Sequence, residues 1–346
     1  MKAGFDTLDL ASLSLPEGGL TRDYARPAAR RDALYEARYD RLTLVYDHWV
    51  EGGRIHFVTP RLLNLWPVVK TDLAPKRRRH LRWEHLTAPL SARSLNGLPL
   101  SPGAPLTDRF AGLRVLMAVS KNNPIDWITA WARHHVATQG TETVLLFDNG
   151  STDYDAADIT AALSGVPGLK SALVVRAPFP YGPAHGRTAK LEVSARFFQT
   201  AMFNLARLRM LGQARSVLSL DIDEMATGPS AHAAAEQSLV GLLQLNGTWV
   251  YAAQTGGRKP QAAHDHRPAT PQSCMPKWCV APRRLAGKMA WTVHRIFGDF
   301  DALFSGQTGF VHCQQCSTGW KVAREGTVAL RHDPGLTALW ARSAAE

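Results

Sequence analysis

Hydrophobic positions along this chain fall into two textures, and the change between them comes near residue 105. Before it, Leu42, Leu44, Tyr46, His48 and Val50 recur at every second position, and Glu51-Gly52-Gly53 turns the chain into Arg54-Ile55-His56-Phe57-Val58. A period of two on both sides of a Gly-Gly pair predicts a β-hairpin. Residues 1–40 show no sustained period and read as an irregular arm. Pro and Gly cluster from Pro99 to Pro105, and such a cluster marks a domain boundary. The expected organisation is therefore an N-terminal arm and small β-rich region over 1–105, followed by one larger domain over 106–346.

In the second texture, apolar runs of strand length alternate with longer helical patterns. Leu113–Val119 is followed by Ser120-Lys121-Asn122-Asn123-Pro124 and a helical pattern through Ile125, Trp127, Ile128, Trp131 and Val136, with Pro124 suited to its first turn. Thr143–Phe147 predicts a second strand, 155–163 a helix, Ala172–Val175 a third strand and 189–211 a long helix. Ser216–Leu220 is a fourth strand that runs into Asp221-Ile222-Asp223-Glu224. This rhythm predicts an α/β fold, a mostly parallel, Rossmann-like sheet flanked by helices. Ligands of such sheets sit beyond the carboxyl ends of the strands, and that is where the polar clusters of this chain fall.

Composition adds limits. The chain has 346 residues, 45% of them hydrophobic and 20% charged, which suits a folded globular protein. The net charge of +11 favours an anionic partner: nucleotide phosphates, an acidic glycan, a phospholipid surface or nucleic acid. The Lys76-Arg77-Arg78-Arg79-His80-Leu81-Arg82-Trp83 stretch is the densest basic run, readable as a solvated loop or as a seat for an anionic head group. An apolar leader and a run of membrane-spanning length are both missing from the pattern. The expected location is therefore cytoplasmic, with room for peripheral membrane contact. The cysteines are spaced as Cys274-x4-Cys279 and Cys313-x2-Cys316. Two pairs could surround zinc, but the first is wider than a zinc knuckle and Trp278-Cys279-Val280 reads as buried strand, so free thiols are expected.

Two clusters carry chemistry. Asp221 and Asp223 end an apolar strand, and strand alternation puts both on one side of the backbone. Paired carboxylates repel unless a cation or proton is shared between them, and Mn²⁺ or Mg²⁺ would suit such oxygen ligands while leaving positions for phosphate. The alternation also points Glu224 away from Asp223. Upstream, Asp148-Asn149-Gly150-Ser151-Thr152-Asp153 follows another apolar strand. Gly150 permits a tight turn, and Asp148 and Asp153 could accept hydrogen bonds from a ribose or base.

The series Val119–Asn123, Trp127, His134-His135, Phe147–Asp153 and Leu220–Glu224 resembles the family-2-like glycosyltransferases of the GT-A fold, and within them the branch of family-92-like proteins from bacterial polysaccharide loci. Phe198-Gln199, Lys277, Thr292-Val293-His294-Arg295, His312 and Ser317–Lys321 extend the likeness, which runs over residues 112–335 in order. The resemblance implies a nucleotide-sugar donor, a UDP-sugar favoured, and a glycan or glycolipid acceptor. It places the nucleotide near Asn122, Asp148, Asn149 and Asp153, and the metal–diphosphate unit at Asp221 and Asp223. A C-terminal histidine completes the metal shell in many such enzymes; His294 is the candidate and His312 its alternative. Arg187, Lys190, Lys277 and Arg295 are candidates for phosphate contacts. The family usually inverts the anomeric centre, which needs a carboxylate base, and Asp299 and Asp301 are the candidates. Asn122-Asn123 departs from the Asn-Glu of many relatives.

Two other classes compete with this reading. A sugar-nucleotide pyrophosphorylase-like enzyme would want a glycine-rich loop after the first strand, where Ser120–Asn123 has no glycine. A basic nucleic-acid or anion-binding module would want basic and aromatic residues interleaved over one face. The Lys76–Trp83 stretch alone offers that, so nucleic acid is not the expected partner.

Overall fold

The computed structural model describes residues 4–183, 193–253, 257–316 and 329–345. It forms two compact units: one comprises residues 1–8, 107–176 and 211–346, the other 9–106 and 177–210. The arm expected over 1–40 is partly regular. It holds strand β1 (Phe5–Asp9) and a short helix, Ala33–Arg38, capped by the Asp32 carboxylate on the Tyr35 amide. An edge strand is held by backbone pairing and needs little side-chain periodicity, so pattern alone missed it.

The smaller unit is built on an antiparallel sheet of β2 (Asp47–Glu51), β3 (Arg54–Pro60), β4 (Lys76–Arg79) and β5 (Trp83–Pro89), in the order β2-β3-β5-β4. The expected hairpin is β2–β3, with Glu51 level with Arg54. Gly52 and Gly53 have φ of 54° and 72°, the left-handed pair that a two-residue hairpin turn demands and that glycine adopts without a Cβ clash. The basic stretch is a strand, β4, rather than a loop. Ile55, Phe57, Leu86 and Ala88 on one face of this sheet pack with Leu44, Leu62, Leu65 and Val69 as the unit's core.

The larger unit alternates as expected: β6 (Arg114–Ser120), α1 (Ile125–Gln139), β7 (Thr143–Asp148), α2 (Ala156–Ser164) and β8 (Ser171–Arg176). Pro124 is the residue before α1 rather than its first turn, and Gly140 ends that helix at φ 70°. Asp155 caps α2 in a reciprocal capping box with Asp158, which satisfies amides the helix cannot. The chain then contributes α3 (Phe198–Leu205) and a π-helical turn, Ala206–Met210, to the smaller unit. The start of the long helix expected from 189 lies outside the described residues, and α3 itself begins at Phe198.

Back in the larger unit come β9 (Ser216–Ser219), β10 (Glu224–Thr227), β11 (Leu242–Val250), β12 (Ser273–Val280) and β13 (Ser305–Cys313). They complete a nine-stranded sheet in the order β1-β8-β7-β6-β9-β12-β11-β13-β10. This is an α/β fold with a large, mostly parallel sheet. Strands β8, β7, β6 and β9 run parallel, as do β11 and β13, while β12 and β10 pair antiparallel to their neighbours. Leu116, Val144, Val174 and Leu218 from the sheet pack with Ile128, Trp131 and Ile159 from the helices. Strands buried on both faces read as continuous apolar runs, which is why this part was legible. Among the described residues no helix is long and apolar enough to cross a membrane.

Candidate functional site

Three adjacent parallel strands end in the polar clusters. Ser120 at the tip of β6 is level with Asp148 at the tip of β7, and β9 lies on the other side of β6. Met117 of β6 is level with Ser219, the last residue of β9, so both neighbours of β6 end on the same side of the sheet, β9 three residues short of β7. The Asp148 and Asp221–Glu224 clusters thus share one edge of the sheet.

The Asp148 loop is held by its own polar groups. Asp148 is buried, and its carboxylate accepts from the Ser151 hydroxyl at 2.5 Å and from the Ser151 amide at 3.2 Å. Asn122, left-handed at φ 51°, receives the Thr152 amide on its Oδ1 at 2.8 Å and donates from its own amide to Ser151 Oγ at 2.9 Å. Asn149 is buried, and its amide donates to the Ser120 carbonyl at 2.8 Å. Asp153 is exposed and accepts from Thr152 Oγ1 at 3.3 Å. Much of the expected nucleotide-contact set therefore zips two loops together, with Asp153 at the open side.

The second cluster departs from strand alternation. Strand β9 stops at Ser219, and 221–224 is a turn closed by the Glu224 amide on the Asp221 carbonyl at 3.0 Å. Because the chain turns, Glu224 does not point away as alternation predicts. It is the first residue of β10 and directly faces His312 of β13. Ligand atoms of Asp223, Glu224 and His312 all lie within 4.8 Å of one another. His312 Nε2 is 3.2 Å from Asp223 Oδ2, and its Nδ1 is 3.5 Å from Glu224 Oε1. Trp249 on β11 stacks on the imidazole at 4.0 Å between centroids. One nitrogen and two carboxylates converging this closely could hold a divalent cation.

Asp221 is held differently. Lys277 on β12 is 1% exposed, and its ammonium lies 2.8 Å from both Asp221 Oδ2 and Glu224 Oε2. Burial works against that charge, yet the two carboxylates outweigh it and hold Lys277 above the ordinary lysine value. The same burial pushes the Glu224 carboxyl up, with Lys277 opposing it. Lys277, placed among the phosphate contacts from sequence, thus neutralises and fixes the turn.

The remaining candidates are scattered. His294 Nδ1 donates to the Pro276 carbonyl at 3.1 Å, and His294 does not belong to the Asp223 group. Asp301 is fully buried, and its two oxygens accept the Ile296 and Phe297 amides at 2.6 Å each, so it shapes a loop and cannot reach an acceptor hydroxyl. The Asp299 side chain is 95% exposed and paired with Arg295. Arg187, Lys190 and Ser317–Lys321 lie outside the described residues. Cys274 and Cys279 are free thiols, with burial pushing Cys279 well up, and Cys313 and Cys316 are buried.

Three supports were not read from sequence. Gln261 Nε2 donates to the Ile222 carbonyl at 2.9 Å and to the Trp127 carbonyl at 3.0 Å, tying the 221–224 turn to α1. His134 and His135 on α1 bond both backbone groups of Ala226 in β10, at 2.8 and 3.1 Å. The adjacent histidines were visible, but nothing local to them indicated a strand 91 positions away.

No protein-family model matches the chain, and no curated protein matches it. Solved structures share a distant likeness. The galactosyltransferase LgtC in complex with donor and acceptor sugar analogues has 13% identity over 67% of this chain and 96% of its own, at a TM-score of 0.32. S. aureus TarS 1–349 in complex with UDP has 14% identity over 67% of this chain and 65% of its own, at 0.29. The bifunctional glycosyltransferase WbbM has 13% identity over 48% of this chain, at 0.27, and this chain spans 26% of its length. Likeness at that level transfers no residue roles.

Proposed function

We propose that the chain is a metal-dependent glycosyltransferase that moves a sugar from a nucleotide-sugar donor, a UDP-sugar first, to a hydroxyl of a glycan or glycolipid. The observation that carries this reading is the convergence of Asp223, Glu224 and His312 at the edge of the sheet where the Asp148 loop also lies. The order of motifs along 112–335 supports it. Asp223, Glu224 and His312 would hold Mn²⁺ or Mg²⁺. When bound, that ion supplies Lewis-acid neutralisation of a departing diphosphate. Asp221 and Lys277 keep the turn in shape, so that Asp223 stays aimed without reorganisation. Asp153, with Asn122 and Asp148 behind it, would face the ribose and base.

The transfer is read as inverting, with Asp299 as the exposed carboxylate that takes the acceptor proton. Surface polysaccharide assembly in bacteria is the setting this chemistry suits, at a cytoplasmic or peripheral membrane location. The test is turnover of UDP-, GDP- and CMP-sugars with Mn²⁺. At least one should be hydrolysed or transferred, and Asp223→Ala should lower the rate by about a hundredfold or more, as removal of a main stabiliser of developing charge does, with the far-ultraviolet spectrum unchanged. Full activity in that variant, or in excess chelator, would refute the reading.

A further inference from the structure

The face of the small sheet opposite its core is set by register. Trp49 on β2 is level with His56 on β3, and Val58, His85 on β5 and Arg78 on β4 form the next rung. His56 Nδ1 lies 3.2 Å from His85 Nε2, and both rings stack with the Trp49 indole. The β4–β5 turn adds Arg82 and His80, whose ring lies flat on Trp83 at 4.2 Å. Helix α3 packs on β3 and β5, and the π-helical turn that extends it carries Arg207. Such turns are rare and are frequently found at functional sites.

Charge on this face is mostly positive, with the Glu51 carboxylate acting on His56 from its border. Burial, then repulsion from Arg78, brings Arg207 down to about 10. Burial takes His85 to about 3, with His56, Arg207, Arg78 and His80 pushing the same way. Arg82 is lowered by burial and by Arg196, and its Nε is buried without a hydrogen-bond partner. The bordering carboxylates are engaged. Glu84 holds Arg61 and Arg77, Asp47 holds Arg209, and Glu51 accepts from Trp49 Nε1 at 3.0 Å. Gathered like charges cost the empty protein stability. A phosphoryl group would balance them, because it brings up to two negative charges and three acceptor oxygens that guanidinium and imidazole donors fit.

We propose that His56, Arg78, His80, Arg82, His85 and Arg207 form a binding site for a phosphoryl group, either soluble or carried on a lipid head group. The proposal does not depend on the transferase reading, since these residues all belong to the unit that lacks Asp223. Its test is titration of inorganic phosphate and pyrophosphate into the full chain, with EDTA present so that no metal-bound site contributes. The wild type should bind and rise in melting temperature. The Arg78→Gln/Arg207→Gln variant should lose at least about tenfold in affinity, or about 1.4 kcal/mol. Without the anion, it should melt no lower than wild type, because a repulsion has been relieved. His56→Gln, with both guanidiniums kept, gives a second and milder variant. Co-sedimentation with phosphatidylcholine vesicles containing phosphatidic acid, and not with phosphatidylcholine alone, would assign the lipid source. Phosphate binding without vesicle binding would assign the soluble one. Failure of the wild type to bind either anion or the acidic vesicles, or equal binding by the double variant, would overturn the site.

Discussion

Lys277 shows how one buried side chain can set a site. Its ammonium bridges Asp221 and Glu224, and both Lys277 and Glu224 are nearly inaccessible. Removing one partner of a buried ion pair leaves an uncompensated charge, which costs about 3–5 kcal/mol. Lys277→Met should therefore lower stability by about that much in urea denaturation at pH 7; a loss under about 1 kcal/mol would mean the bridge is not made. At this scale the sequence was half legible. Asp148, Asp221 and Asp223 stood out because polar residues ended apolar runs, and Lys277 came only through the family resemblance. Glu224 did not, because the alternation that turned it away stops at Ser219. His312 could not be preferred over His294 on local grounds, since its place opposite Glu224 comes from pairing between β10 and β13.

At the scale of elements, β10 is the last strand of the large sheet. The N–H and C=O of one residue point to the same side of a strand, and those of Ala226 meet His134 and His135 instead of another strand. The pair thus closes a sheet edge that would otherwise expose buried backbone groups. The His135 ring donates from Nδ1 to the Trp131 carbonyl at 2.7 Å and accepts at Nε2. Replacing both histidines by leucine should cost about 1–3 kcal/mol for each stranded backbone group. It should also speed exchange of the Ala226 amide relative to Val217 in the sheet interior. Unchanged exchange at Ala226 would show that the histidines do not hold the edge. The alternation of strands and helices was plain from sequence because each element buries its own apolar run. Contacts such as this one were not, because they join elements far apart in the chain.

For the molecule as a whole, several histidines are kept neutral inside it. Burial brings His134 to about 4 and His232 to about 3. The unfolded chain takes up protons near pH 6.5, where the folded chain does not, so stability is full above that value and falls as pH drops toward 4. By pH 5 the loss is about 2 kcal/mol for each such histidine. The urea midpoint should therefore decrease steadily from pH 7 to pH 5, and a flat profile would show that the histidines titrate freely. The smaller unit takes in residues 177–210 as well as 9–106, which the sequence did not disclose, since an apolar helix does not reveal which sheet it covers.

The central claim is that Asp223, Glu224 and His312 gather a divalent ion, and electron paramagnetic resonance of Mn²⁺ reads this most directly. With UDP present, the wild type should bind one Mn²⁺ per chain. Asp223→Asn and His312→Gln should each lose that signal, while His294→Gln keeps it. Undiminished binding in Asp223→Asn and His312→Gln would contradict the assignment, as would loss confined to His294→Gln.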